Sequence, residues 1–166
     1  MSATLDIDDR VFRAVPLEPG TARQAFVLAQ VFDRRLVLGQ WSAYTRAFRS
    51  GARTGRGLMS IVDRRGYVHA FFAWRVQTTL ARGRVLEVEE MIVGHLPGTS
   101  LPEAIAHSLR ELANTTACRS MVLDLPCGTL DPATRALFVE QGFAALPQER
   151  QVLVAHVPDV DCLDAG

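Results

Sequence analysis

The chain has 166 residues, 48% of them apolar, and a formal net charge of zero. That suits one soluble domain long enough to bury a real core, with no overall electrostatic pull toward nucleic acid or an anionic membrane. All 18 basic residues are arginines, which excludes a Schiff-base lysine or a phosphate-loop lysine.

Cys118, Cys127 and Cys162 are odd in number and lack a C-x-x-C spacing. This fits a reducing compartment and argues against a disulfide framework or a zinc knuckle. His107 and His156 have no partner at metal-ligand spacing, and no metal is expected; His69 lies mid-strand, where core packing or a cross-strand hydrogen bond is the plainer reading, and His95 lies in a loop, where a solvated or capping role is plainer than that of an acid or base. The acidic start, MSATLDIDDR, lacks the apolar core of a signal peptide. No apolar run approaches the roughly 18–20 residues of a membrane span. The cytoplasm is therefore the expected location.

Residues 1–10 read as a loose lead-in. Val11–Leu17 predicts a first strand, ended by Glu18-Pro19-Gly20. Thr21 is the predicted cap of a helix running to about Arg35, with Ala22, Ala25, Phe26, Ala29 and Phe32 on one side. Val37, Trp41, Tyr44 and Phe48 recur at four- and three-residue spacing, a second amphipathic helix. Arg46, Arg49, Arg53, Arg56, Arg64 and Arg65 surround the turn-rich Gly51–Gly57 segment, and the plainest reading of that group is a solvated loop. Leu58–Val62 and Tyr67–Gln77 predict a hairpin across Asp63-Arg64-Arg65-Gly66. Strict alternation along its second arm puts Val68, Ala70, Phe72, Trp74 and Val76 on one face, and Tyr67, His69, Phe71, Ala73 and Arg75 on the other. Val85–Val93 is a third consecutive strand, broken at Gly94-His95-Leu96-Pro97-Gly98.

A helix restarts at Ser100, which with Glu103 spells a capping box, and Pro102 lies in its first turn. Leu101, Ile105, Leu109 and Leu112 form its apolar stripe. Ser120–Pro126 reads as a buried strand, and Asp131–Gln141 as a helix stopped by Gly142. Phe143–Leu146 and Gln151–Val157 are the last strands, and the tail from Pro158 is acidic. The expected organisation is a single domain over 11–157, preceded by 1–10 and followed by the tail 158–166. The fold class is α/β (α+β): a mixed sheet of six or seven strands with about four helices. Its first strands are antiparallel, and a central parallel pair, 85–93 and 120–126, is joined by the helical crossover.

Two stretches carry a family resemblance. Leu86-Glu87-Val88-Glu89-Glu90-Met91-Ile92-Val93 looks like the fourth strand of the GNAT (N-acetyltransferase) superfamily, which typically ends acidic–apolar–x–Val. Asp131-Pro132-Ala133-Thr134-Arg135-Ala136-Leu137-Phe138-Val139-Glu140-Gln141-Gly142-Phe143 looks like that family's N-x-x-A-x-x-L-Y-x-x-x-G-F helix. With the element order, the resemblance covers about residues 10–157. It implies a V-shaped splay of the parallel pair. It also implies transfer of an acetyl or other acyl group from acetyl-CoA or another acyl-CoA, by direct attack, to a small-molecule or peptide amine. Met91, Ile92 and Val93 would lie at the thioester carbonyl, and Gly98, Thr99, Ser100 and Leu101 at the coenzyme pyrophosphate. Neither a membrane nor nucleic acid is an implied partner, and a homodimer is the assembly considered.

Two positions depart from the family pattern. Gly94–Leu101 lacks the leading Arg or Gln and the second in-register glycine of [QR]-x-x-G-x-[GA], while Pro102 removes a donor and Glu103 adds a negative charge. Phe138 stands where the family usually has a tyrosine that protonates the leaving thiolate.

An amine attacking a thioester needs a base and donors for the developing oxyanion. Alternation puts Val85, Glu87, Glu89, Met91 and Val93 on one face and Leu86, Val88, Glu90 and Ile92 on the other. Glu87 and Glu89 would then lie roughly 7 Å apart. Like charges in a partly dry cleft make one of them a better base, which selects Glu89 first and Glu87 second. The plainer alternative pairs them with arginines such as Arg75 or Arg84. Two rival functions remain. One is a catalytically degenerate binding or regulatory module. The other is an acyltransferase that takes its thioester from a carrier protein.

Overall fold

The computed structural model describes residues 11–49, 55–94, 96, 98–126, 128–146 and 151–156. The elements run β1 (Phe12–Pro16), α1 (Pro19–Phe32), α2 (Leu38–Arg49), β2 (Arg56–Asp63), β3 (Val68–Thr79) and β4 (Gly83–Val93). They continue with α3 (Leu101–Thr115), β5 (Ser120–Leu125), α4 (Pro132–Glu140), β6 (Ala144–Leu146) and β7 (Gln151–His156).

The first helix begins earlier than the sequence reading placed it. Glu18 is its N-cap, Pro19 occupies the first turn, and Thr21 is the third helical residue. Thr21 Oγ1 reaches back to accept the Glu18 backbone N–H at 3.1 Å. The fixed φ of proline is already helical, so Glu18-Pro19 opens this helix rather than ending the strand before it. Asp131 caps α4, accepting the N–H groups of Ala133 and Thr134 at 3.0 Å each.

All seven strands form one sheet in the order β1-β2-β3-β4-β5-β7-β6. Each neighbouring pair is antiparallel except β4 with β5, which is parallel. The sheet has a core on each face. On one, Phe72, Leu86, Val88, Met91, Met121 and Leu123 pack with Leu101, Ile105 and Leu109 of α3 and Phe138 of α4. On the other, Phe71, Ala73 and Leu58 pack with Ala25 and Ala29 of α1 and Trp41 of α2. The apolar stripes read in α1, α2 and α3 are thus the faces that clamp the sheet between helices.

Strict alternation fails at two bulges. Ile61 pairs with Ala70 and Val62 with Val68, so His69 is the extra residue on β3. Val68 accordingly packs with the α1/α2 core and not with Ala70 and Phe72. Ala73 pairs with Glu90 and Trp74 with Val88, so Glu89 is the extra residue on β4. A bulge shifts the two-residue period by one. Leu86 and Val88 therefore share a core with Met91, while Ile92 packs with the α1/α2 core. The sequence grouping of Glu87 with Glu89, Met91 and Val93 is corrected: beyond the bulge, the partner of Glu87 on its face is Glu90.

Candidate active site

The parallel pair is hydrogen-bonded only from Val85–Ser120 to Val88–Leu123. Both strands run on past that point, β4 to Val93 and β5 to Leu125. The ladder therefore opens into a V just where the Glu89 bulge sits. The open edge of β4 carries specific donors. Gly94 N–H donates to His69 O at 2.8 Å, which fixes the phase of the antiparallel β3–β4 ladder. Alternation then directs the N–H groups of Glu90 and Ile92 toward β3, and those of Met91 and Val93 toward β5. Beyond Val88, β5 pairs with none of them. Of the three backbone positions expected at a thioester carbonyl, Met91 and Val93 present donors to the splay; the Ile92 donor belongs to the ladder.

The three glutamates separate into two environments. Glu87 lies opposite Arg75 on β3 and accepts from its Nε at 2.8 Å, and Gln77 donates to the same carboxylate. Arg75 also reaches Glu89, at 2.5 Å. The hydrogen bond to Glu87 is the main reason the guanidinium is held above its ordinary pKa. Glu87 and Glu89 thus share one cation, the pairing the sequence offered as the alternative to a catalytic role. Among the described residues Glu90 has no ion-pair partner, and it lines a cavity of about 600 Å³ between α1, α2 and the open end of the splay. Tyr44 of α2 lines the same cavity, and its buried hydroxyl makes no hydrogen bond of ordinary length. Burial first, and the Glu90 carboxylate second, push its pKa well above the ordinary tyrosine value, so the phenol keeps its proton.

On the opposite face, Val93, Gly98, Thr99, Leu101, Pro102 and Glu103 border a cleft of about 310 Å³ with Asp131 and Thr134 of α4. The expected capping box does not form. Ser100 has φ −83° and ψ 20° and its side chain caps nothing, because a capping side chain needs an extended backbone at that position. The Thr99 hydroxyl turns away to Leu96 O at 2.9 Å. The first turn of α3 therefore keeps backbone donors that the box would have consumed, apart from the one Pro102 lacks.

No protein-family model matches the sequence, and no curated protein matches it. Solved structures do match the fold. A GNAT-family acetyltransferase from Staphylococcus aureus superposes with a TM-score of 0.63 at 5% identity, covering 89% of this chain and 99% of the other. A spermidine N-acetyltransferase chimera from Vibrio cholerae and hSSAT gives 0.66 at 11% identity, covering 89% and 96%. A chain of the NatC complex, solved with Gag peptide and CoA, gives 0.62 at 12% identity, covering 90% and 100%. The chain has the GNAT fold.

The cleft at the α3 start is acidic. Its charged lining among the described residues is Glu103 and Asp131, with no arginine. Gly98, at φ +71°, adopts the left-handed turn a glycine allows. Phe138 is fully buried, with its ring 5.0 Å from that of Phe143, and serves the core.

His69, singled out only as a mid-strand histidine, is bound to Asp63 at 2.9 Å and packs edge-on against Phe12. His107 lies 2.9 Å from Glu111, one turn along α3. Arg56 donates to Ala47 O and covers the Phe48 ring, so part of the arginine group is structural. His95 and Cys127 lie outside the described residues. Among the described residues no group of His, Cys, Asp and Glu has metal-binding geometry, and no helix is long and apolar enough to cross a membrane.

Sequence reasoning passed over Glu90 and Tyr44 as site residues. A signal for Glu90 was present: the acidic–apolar–x–Val ending is Glu90-Met91-Ile92-Val93. Tyr44 gave none beyond its place in a packing stripe.

Proposed function

We propose that this protein is an N-acyltransferase that moves an acetyl or other short acyl group from a pantetheine thioester, such as acetyl-CoA, to an amine. The observation that carries this reading is the juxtaposition at the splay. Two outward backbone donors, Met91 and Val93 N–H, lie beside Glu90, the β4 glutamate with no cation bound to it among the described residues. The thioester carbonyl accepts from those donors, which then stabilise the oxyanion as it forms. Glu90 takes the proton from the attacking ammonium, directly or through water. It replaces Glu89 and Glu87 in that role, because Arg75 engages both of those carboxylates and leaves Glu90 open to the cavity. The bond to sulfur breaks, and the departing thiolate takes up, directly or through water, the second proton that the nitrogen sheds as the amide forms. A thiol pKa of about 8.5 makes that leaving group tolerable near neutral pH without the tyrosine that Phe138 replaces.

The test is thiol release from acetyl-CoA in the presence of amines, with Glu90→Gln, Glu89→Gln and Glu87→Gln compared. Glu90→Gln should lower kcat by roughly 10²–10⁴ while the fold persists. Full turnover in Glu90→Gln with loss in either of the others would return the base to the Arg75 pair.

A second reading has its own support. Glu103 and Asp131, with no arginine, line the cleft where the GNAT fold seats a nucleotide pyrophosphate. A carrier protein presents its thioester on a pantetheine arm without that nucleotide, so such a donor would not need the cleft. Acyl transfer from an acylated carrier protein, with none from acetyl-CoA, would select this reading.

A further inference from the structure

The acceptor-side cavity has a composition that restricts what enters it. Phe32, Trp41, Tyr44 and Phe71 give it an aromatic wall, and its charged residues are Asp33 and Glu90. Gln40 and Thr129 are its uncharged polar members, and none of the described lining residues is basic. The rings are held in fixed relation: Trp41 stacks on Tyr44 at 6.0 Å and meets Phe71 edge-on at 5.2 Å. The Trp41 indole N–H is committed to Ala22 O at 2.9 Å, so what Trp41 has left to offer is its ring. The buried Tyr44 hydroxyl makes no hydrogen bond of ordinary length and lies under the influence of the Glu90 carboxylate, so the two together mark the polar end of the cavity. Because that phenol stays protonated, it offers a donor without adding charge.

Aromatic faces attract cations, and a carboxylate at the end of an aromatic wall strengthens that preference. The same wall repays burial of an apolar body. A second, anionic group on the ligand would meet Asp33 or Glu90 with no arginine to compensate it.

We infer that the acceptor is a cationic amine with an apolar body about the size of one or two rings and no anionic group near the nitrogen. α-Amino acids and phosphorylated amino sugars are thereby disfavoured. This rests on the reading of the protein as an acyltransferase for its name as an acceptor site, but the binding preference is independent of turnover. The ammonium lies toward Glu90 and the splay, and the apolar body lies along Phe32 and Tyr44, with Trp41 and Phe71 buried in the wall that backs them.

The test is calorimetric titration of the full chain, without acyl donor, with 2-phenylethylamine, L-phenylalanine and 2-phenylethanol. The three share a ring and differ in charge. The amine should bind best, and the amino acid roughly a hundredfold or more weaker, as uncompensated like charge demands. The alcohol should be about tenfold weaker than the amine, and Glu90→Gln should erase the difference between those two. L-Phenylalanine binding as well as the amine, the alcohol matching the amine in the native protein, or absence of amine binding would each overturn the inference. The native ranking stands whether or not the variant folds. Amine binding without thiol release from acetyl-CoA would uphold the inference and remove that reaction. Thiol release to L-phenylalanine in preference to the amine would uphold the reaction and overturn the inference.

Discussion

Gly94→Ala should loosen the end of β4 that borders the splay. A Cβ at this position would sit 2.9 Å from the backbone oxygen of His69, well inside the 3.4 Å of ordinary contact. That oxygen accepts the Gly94 N–H at 2.8 Å, so the clash falls on the bond that closes the β3–β4 ladder. The obstacle is backbone and cannot rotate away. Moving β4 off β3 by a few tenths of an ångström strains the strand, at about 1–3 kcal/mol for overpacking. Loss of the hydrogen bond adds about 0.5–1.5 kcal/mol. The smaller entropy of an unfolded alanine returns about 0.4–1 kcal/mol. The net destabilisation is about 0.5–4 kcal/mol, or a Tm lower by roughly 1–16 °C for a chain of this size. Urea unfolding and a thermal scan followed by circular dichroism would measure it. An unchanged or raised Tm would mean that Gly94 is not pinned to His69, and the phase assigned to the Met91 and Val93 donors would lose its anchor.

Other expectations follow from single groups. Hydrogen bonding to His69 is the largest reason the Asp63 carboxyl sits below the usual carboxylate range, with Tyr67 and Arg65 N–H adding to it. A depressed folded-state pKa gives stability that is present above about 3.8 and lost as pH falls through the lower folded value. Asp63→Asn should therefore flatten the acid limb of the urea midpoint against pH, and an unaltered limb would contradict the pairing. Tyr44→Phe removes a desolvated hydroxyl, so stability should hold to within about 1 kcal/mol or improve. In a Tyr67→Phe background, phenolate absorbance should appear only well above pH 10, the ordinary value for Tyr44. Phe138→Ala should cost about 3–5 kcal/mol by denaturant titration, because the ring is fully buried against Phe143; a loss under about 1 kcal/mol would make Phe138 something other than core.

The elements were legible because each carried two agreeing signals. Trp41, Tyr44 and Phe48 at helical spacing gave α2, and Asp131-Pro132 with Gly142 gave both ends of α4. The parallel pair followed from a helix crossing between two strands. The faces of β4 were legible only as far as the bulge. Period-two alternation carries no mark for an inserted residue, so the bulge at Glu89 puts Glu90, and not Glu89, on the face of Glu87. The Ser100–Glu103 pattern misled for a related reason. A capping box is spelled by residue type but made by backbone angles, and the turn through Gly98 and Thr99 sets Ser100 outside the required region. The pairing of Arg75 with Glu87 was anticipated because both lie on adjacent strands of one hairpin. The cavity joining α2 to β4 depends on contacts between segments distant in the chain, for which periodicity has no signal.

The central claim is that the splay between β4 and β5 holds a pantetheine thioester. Calorimetric titration with acetyl-CoA and with S-acetyl-pantetheine tests it most directly. Because the donors lie at Met91 and Val93 and no arginine lines the α3 cleft among the described residues, the nucleotide half should contribute little. Both compounds should bind, with affinities within about tenfold of each other, or about 1.4 kcal/mol. Absence of binding by both at millimolar concentration would contradict the account.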